Sequence, residues 1–191
     1  QKVYRFDPLQ EAGRTHGFNV LAYVREGDLR VTDVQTVAAI LVPNESHDPY
    51  WDNVARDLLV GLILLVLEAG PVLGWPVTVG QVHRLIRSEE ETGEYLQALL
   101  EDLERQGVAV SSLCRRYLLS FCNEPEKPRG SIKSALATKL TLWANPLIDR
   151  ATSRNDFDLR RFRREAQSLY IAIAPDDLQR LAPIVRLLIE F

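Results

Sequence analysis

The chain has 191 residues, 46% of them hydrophobic and 26% charged, with a formal net charge of −3. This is the composition of a folded globular protein with enough chain for one good core, which excludes a disordered tail. The slight acidity excludes a global attraction to nucleic acid and leaves only a local basic patch open to that role.

Residues 2–6 (KVYRF) read as a short strand, ended by Asp7 and Pro8. Residues 9–30, with glycines at 13, 17 and 27, read as irregular. Thr32 as N-cap predicts a helix over 32–42 that puts Val34, Val37, Ala38 and Leu41 on one face and ends at Pro43. Asp48 followed by Pro49 is a cap residue ahead of a proline at the first helical position, and it predicts a helix reaching about Glu68. The later half of that helix is apolar nearly all round, which puts it at the centre of the fold. Its charge-free run, Leu58 to Leu67, is about half the roughly twenty residues a membrane span needs.

Gly70 and Pro71 stop this helix and leave 72–77 as a loop. Thr78 caps a helix over 79–87. The next, over 92–106, carries a stripe of Tyr95, Leu96, Leu99, Leu100 and Leu103 and stops at Gly107. Another, over 108–122, carries Val110, Leu113, Cys114, Tyr117, Leu118 and Phe121. Cys114 and Cys122 on one helix are about 12 Å apart along the axis, too far for a disulfide. Free thiols fit a reducing cytoplasm. Residues 123–130 (NEPEKPRG) read as a linker, after which Ser131 caps a helix to Ala144 and Pro146 closes the stretch. Asn155–Arg164 reads as a short basic helix, Ser168–Ala174 as a buried parallel strand, and Asp177–Glu190 as an amphipathic helix.

Strand character lies only near the two ends. The expected fold is therefore mainly α: a multi-helix all-alpha domain inserted between short α/β segments, with boundaries at 1–47, 48–150 and 151–191. The sequence contains no methionine, even at position 1, which fits a piece of a longer polypeptide.

Several chemistries have no support. No G-x-x-x-x-G-K-[ST] string occurs. Residues Gly130–Ser134 superficially resemble one but lack the first glycine, and they read as linker and helix cap. His16, His47 and His83 are scattered, which gives no zinc pattern. Trp51 and Trp143 belong to apolar stripes and read as core. Trp75 sits in a Gly/Pro-bracketed loop and is a candidate partner contact. The acidic run Glu89, Glu90, Glu91, Glu94, Glu101, Asp102 and Glu104 reads either as a solvated helix face or as a docking surface for basic secretion signals. Its candidate contacts are Glu90, Glu91, Glu94 and Glu101. Arg160, Arg161, Arg163 and Arg164 point to solvent or a neighbouring subunit more than to DNA.

Four passages in order resemble the TraG/TraD/VirD-type coupling proteins of type IV secretion and conjugation systems. They are VYRFDP at 3–8 with Thr15–Tyr23 (THGFNVLAY); Asp33–Pro43 with DPYW at 48–51 and ARDLL at 55–59; Ser131–Pro146; and ATSRNDFDL at 151–159 with LYIAI at 169–173 and LAP at 181–183. Val20 stands where the family commonly has proline. Only 72–125 carries no such string. The resemblance implies hexameric, membrane-anchored ATPases at the cytoplasmic face of the bacterial inner membrane, with a RecA-like motor that uses ATP and magnesium. It also implies an all-helical domain that receives cargo. On this reading the P-loop and the Walker B acid lie outside residues 1–191, so the chain alone has no catalytic or cofactor residues. Its implied role is recognition of a secreted effector protein or its C-terminal translocation signal, alongside other secretion-system components. The alternatives are recruitment of a relaxase–DNA complex in conjugation, or a part in the ATP-hydrolysing motor itself.

Overall fold

Two short strands hold the ends of the chain together. In the computed structural model, which describes residues 2–45, 47–88 and 91–191, β1 (Lys2–Phe6) pairs in parallel with β2 (Gln167–Ile171), from Lys2 opposite Gln167 to Phe6 opposite Ile171. Between them lie α1 (Arg30–Leu41), α2 (Pro49–Glu68), α3 (Gly70–Leu73), α4 (Val79–Ile86), α5 (Thr92–Arg105), α6 (Ser112–Cys122), α7 (Glu126–Lys139) and α8 (Pro146–Ala151). After β2 comes α9 (Leu178–Glu190). The chain is mainly helical, with a small parallel sheet.

The Asp48–Pro49 start works as its residue types require: the Asp48 carboxylate accepts the Tyr50 N–H at 3.0 Å, and proline fills the first turn. Every residue from Leu58 to Val66 is buried, and α1, α4, α6 and α7 pack around this helix. Gly61 lets α6 approach, because a Cβ there would lie 2.9 Å from Leu118 and 3.0 Å from Tyr117. The Cys114 thiol donates to the Gly61 carbonyl at 3.4 Å, and burial pushes that thiol well above its usual range. Cys122 is also buried and free, pushed up to about 11 by burial. α5 forms an outer layer on α6, burying Leu96, Leu100 and Leu103. One contiguous apolar cluster runs from Phe6 in β1 through α2 to Leu188 in α9.

Several elements differ from the sequence expectation. α1 starts at Arg30, because a 3-10 turn over Gly27–Leu29 feeds straight into it; Thr32 is inside the helix, and its carbonyl accepts the Thr36 hydroxyl. Gly70 and Pro71 open the short α3 rather than a loop, since proline is tolerated in a first turn. α6 begins only at Ser112, with the Ser111 hydroxyl accepting the Cys114 N–H at 3.2 Å, so Val110 lies outside it. The supposed linker over 123–130 is largely the first turns of α7, where Pro128 again occupies a first-turn position. Pro146 opens α8 under an Asn145 cap instead of closing a stretch. The basic segment forms only a 3-10 turn over Leu159–Arg161. β2 leaves Tyr170 and Ile171 exposed, because a sheet of two strands cannot cover both faces.

Candidate functional site

The passages quoted as signatures come together where the two ends of the chain meet the helical block. The Gly17 N–H donates to the Asp156 carboxylate at 2.6 Å, while the Asp156 N–H donates back to the Gly17 carbonyl at 3.1 Å. Arg154 donates from Nε to the same carboxylate at 2.8 Å and from Nη2 to the Thr15 carbonyl at 2.5 Å. Burial opposes ionisation of Asp156, but the Gly17 N–H and Arg154 outweigh it and hold the carboxyl below its ordinary range. Phe18 donates its N–H to Ala151 at 2.9 Å. The Tyr23 hydroxyl donates to the Phe157 carbonyl at 2.8 Å and accepts the Leu159 N–H at 3.2 Å. Phe6, Phe18, Tyr23 and Phe157 pack ring against ring around these bonds. Glycine is required at 17, since a Cβ would lie 2.6 Å from the Arg154 carbonyl oxygen.

The predicted acidic surface is only partly available. Glu91 is the N-cap of α5: its carboxylate accepts the Glu94 N–H at 2.8 Å and pairs with Arg129 at 2.9 Å. Asp102 pairs with Arg105 and Glu104 with Arg115. Glu94 and Glu101 stay exposed on α5 with no ion pair among the described residues, and Glu101 accepts a long bond of 3.4 Å from Gln97. Glu89 and Glu90 lie outside the described residues.

Trp75 is half-buried against the core, its N–H bonded to the Gly70 carbonyl at 2.8 Å behind a left-handed turn at Gly74. Val72 beside it is 62% exposed. Trp75 and Glu91 lie on different connections of the helical block, before and after α4. Sequence reading had put Trp51 and Trp143 in the core. Trp143 is buried, with Nε1 donating to the Thr152 hydroxyl at 2.9 Å, whereas Trp51 is half-buried against Tyr50. The Arg160–Arg164 patch is partly neutralised, with Arg160 and Arg161 both directed at Asp158.

Among the described residues no group of histidine, cysteine, aspartate or glutamate could hold a metal ion, and the sequence has no P-loop string. Among the same residues, no helix is long and apolar enough to cross a membrane.

Comparison with known proteins agrees with the converging signatures. A family model described as Type IV secretory system Conjugative DNA transfer matches residues 1–191. Protein VirD4 of Rhizobium radiobacter is 30% identical over 193 residues, covering 98% of this chain and 26% of that protein. Conjugal transfer protein TraG of Escherichia coli is 30% identical over 198 residues, covering 99% of this chain and 30% of that protein. The chain thus spans between a quarter and a third of the curated relatives it matches. Among solved structures, plasmid coupling protein TrwB in complex with a non-hydrolysable GTP analogue superposes with a TM-score of 0.61 at 15% identity, covering 99% of this chain and 40% of that one. TrwB in complex with ADP and Mg2+ gives 0.59 at 18% identity, again with 99% and 40% coverage. At these identities the likeness is one of fold.

Proposed function

Because the chain belongs to the type IV secretion coupling-protein family, we propose that its helical block receives protein cargo for a nucleotide-driven motor. The observation that carries this reading is the parallel pairing of β1 with β2. Two strands bonded in one sheet make residues 7–166 a single excursion from that sheet. A parallel crossover needs only a dozen or so residues, so an excursion of this length is an inserted unit. The exposed Val3, Tyr170 and Ile171 support a further layer over these two strands, since parallel strands are ordinarily covered on both faces. We read them as part of a RecA-like nucleotide-binding unit, divided from the helical domain near residues 47 and 151. Nucleotide binding and hydrolysis are assigned to the rest of the parent, at the cytoplasmic face of the inner membrane.

Glu94 and Glu101, with Trp75 and the sequence-assigned Glu90, are the proposed cargo contacts; Glu91 contributes chiefly as a cap. Unpaired carboxylates on α5 favour a basic polypeptide over duplex phosphate. The cargo is an effector protein or a relaxase joined to DNA, and in both cases this block meets protein. The test is fluorescence anisotropy of C-terminal segments of candidate cargo proteins, and of duplex DNA, titrated with this chain across a salt series. Segment binding that weakens with salt and with E94K/E101K is expected. Steeply salt-dependent duplex binding without any segment binding would overturn the reading.

A further inference from the structure

Where α2, α6 and α7 meet, the surface carries a notch of about 40 Å3. Its floor is Leu58, Phe121 and Ile132, its side wall is Tyr117, and Asp57 and Glu124 stand on the rim. That volume accommodates roughly three water-sized positions, the scale of a short stretch of side chain and far below that of a nucleotide or a helix. Neither rim carboxylate has a cationic partner among the described residues. The neighbouring arginines are committed elsewhere. Arg56 donates to the Val42 carbonyl and to Asn44, and Arg116 lies over the Tyr117 ring, 5.9 Å from its centroid. Burial beside the apolar walls pushes the Asp57 carboxyl above its usual range, against the pull of Arg56.

We propose that this notch takes a single cationic side chain, an arginine or lysine, from a partner polypeptide. The methylene stem of such a side chain covers Leu58, Phe121 and Ile132, while its charged head reaches the two rim carboxylates. The opposed charges select the occupant. An anion or a phosphate would meet two like charges. A wholly apolar side chain would cover Asp57 without giving it a partner, and burying an unpaired charge is costly. A cation adds an ion pair that neither rim carboxylate makes among the described residues, and charge-assisted bonds to carboxylate are among the stronger ones. The partner's identity as cargo rests on the function proposed above, whereas the chemistry of the notch does not.

The probe is a short capped peptide with one central arginine between leucines, compared with its citrulline counterpart, which keeps shape and loses charge. Binding to this chain is followed by NMR shifts of Asp57, Glu124, Phe121 and Ile132. The arginine peptide is expected to shift these resonances and to bind about tenfold more tightly than the citrulline peptide. The D57N/E124Q variant, with its fold checked by a thermal melt, is expected to lose that preference. Equal binding of both peptides, no binding, or shifts confined to α5 would overturn the proposal. No binding of the arginine peptide, with a cargo segment that binds wild type and D57N/E124Q alike but is lost with E94K/E101K, sinks the notch and leaves the cargo role standing. Arginine-peptide binding at the notch with no cargo segment bound does the reverse.

Discussion

At the scale of single residues, polar groups in this chain are placed by what they bond. Asp156 is exposed in part, yet it ties three groups: the Gly17 N–H, the Arg154 guanidinium, and through Arg154 the Thr15 carbonyl. His83 is the opposite case. It is 9% exposed on α4, and its Nε2 has no hydrogen-bond partner among the described residues. Burial lowers its pKa first, Arg87 and Arg84 lower it further, and Asp149 alone of the charges around it works the other way. The folded state therefore holds this ring neutral at a pH where the unfolded chain already binds a proton. Stability is intact above the unfolded value of about 6.5 and is lost as pH falls from there through the lower folded value. Thermal melts between pH 8 and pH 5 should show a fall on the acid side, and His83→Leu should flatten it. A melt profile that His83→Leu leaves unchanged would assign the fall to other groups.

At the scale of elements, the helix starts were the most legible part of the sequence. Asp48, Thr78 and the apolar stripe of α5 each carry a local signal that tertiary structure did not override. Several of the misread positions are prolines. Pro71, Pro128 and Pro146 look like breaks in sequence, yet each sits in a first turn, where a missing N–H costs nothing. Whether a proline opens or ends a helix depends on what the following residues pack against, which spacing alone does not contain. Gly61 is similar: glycine is a weak helix former, and its role within α2 is seen only when α6 is in place. Gly61→Val gains at most about 0.5 kcal/mol in helix propensity. Against that, its side chain must displace Leu118 and Tyr117, and overpacking of this kind costs about 1–3 kcal/mol. The expected net loss, about 1–2 kcal/mol, is measurable by urea unfolding; a variant as stable as the parent would mean that α6 shifts freely on α2.

At the scale of the whole molecule, the joint between the sheet and the helical block could not be read as a site, because its parts lie 139 residues apart and nothing in the two strings that carry them shows that they pair. Gly17 and Asp156 looked like an irregular loop and a short basic segment; only the pairing of β1 with β2 brings them together. The acidic run was legible as composition but not as availability, since capping and pairing decide which carboxylates stay free. The same long-range closure bears on how the chain unfolds. The buried cluster is continuous from Phe6 to Leu188, and α1 packs on both α2 and α9. Phe18, Val20, Val79, Trp143, Ile184 and Leu187 surround one small space, drawing on the amino-terminal segment, the helical block and α9 together. Removing either end would leave that space open to water. Heating should therefore give one cooperative transition, with the calorimetric and van 't Hoff enthalpies in agreement and circular dichroism coincident with tryptophan fluorescence. Trp143 lies at the joint and Trp51 at the start of α2 in the helical block, so two separated fluorescence transitions would show that the helical block melts independently of the strands.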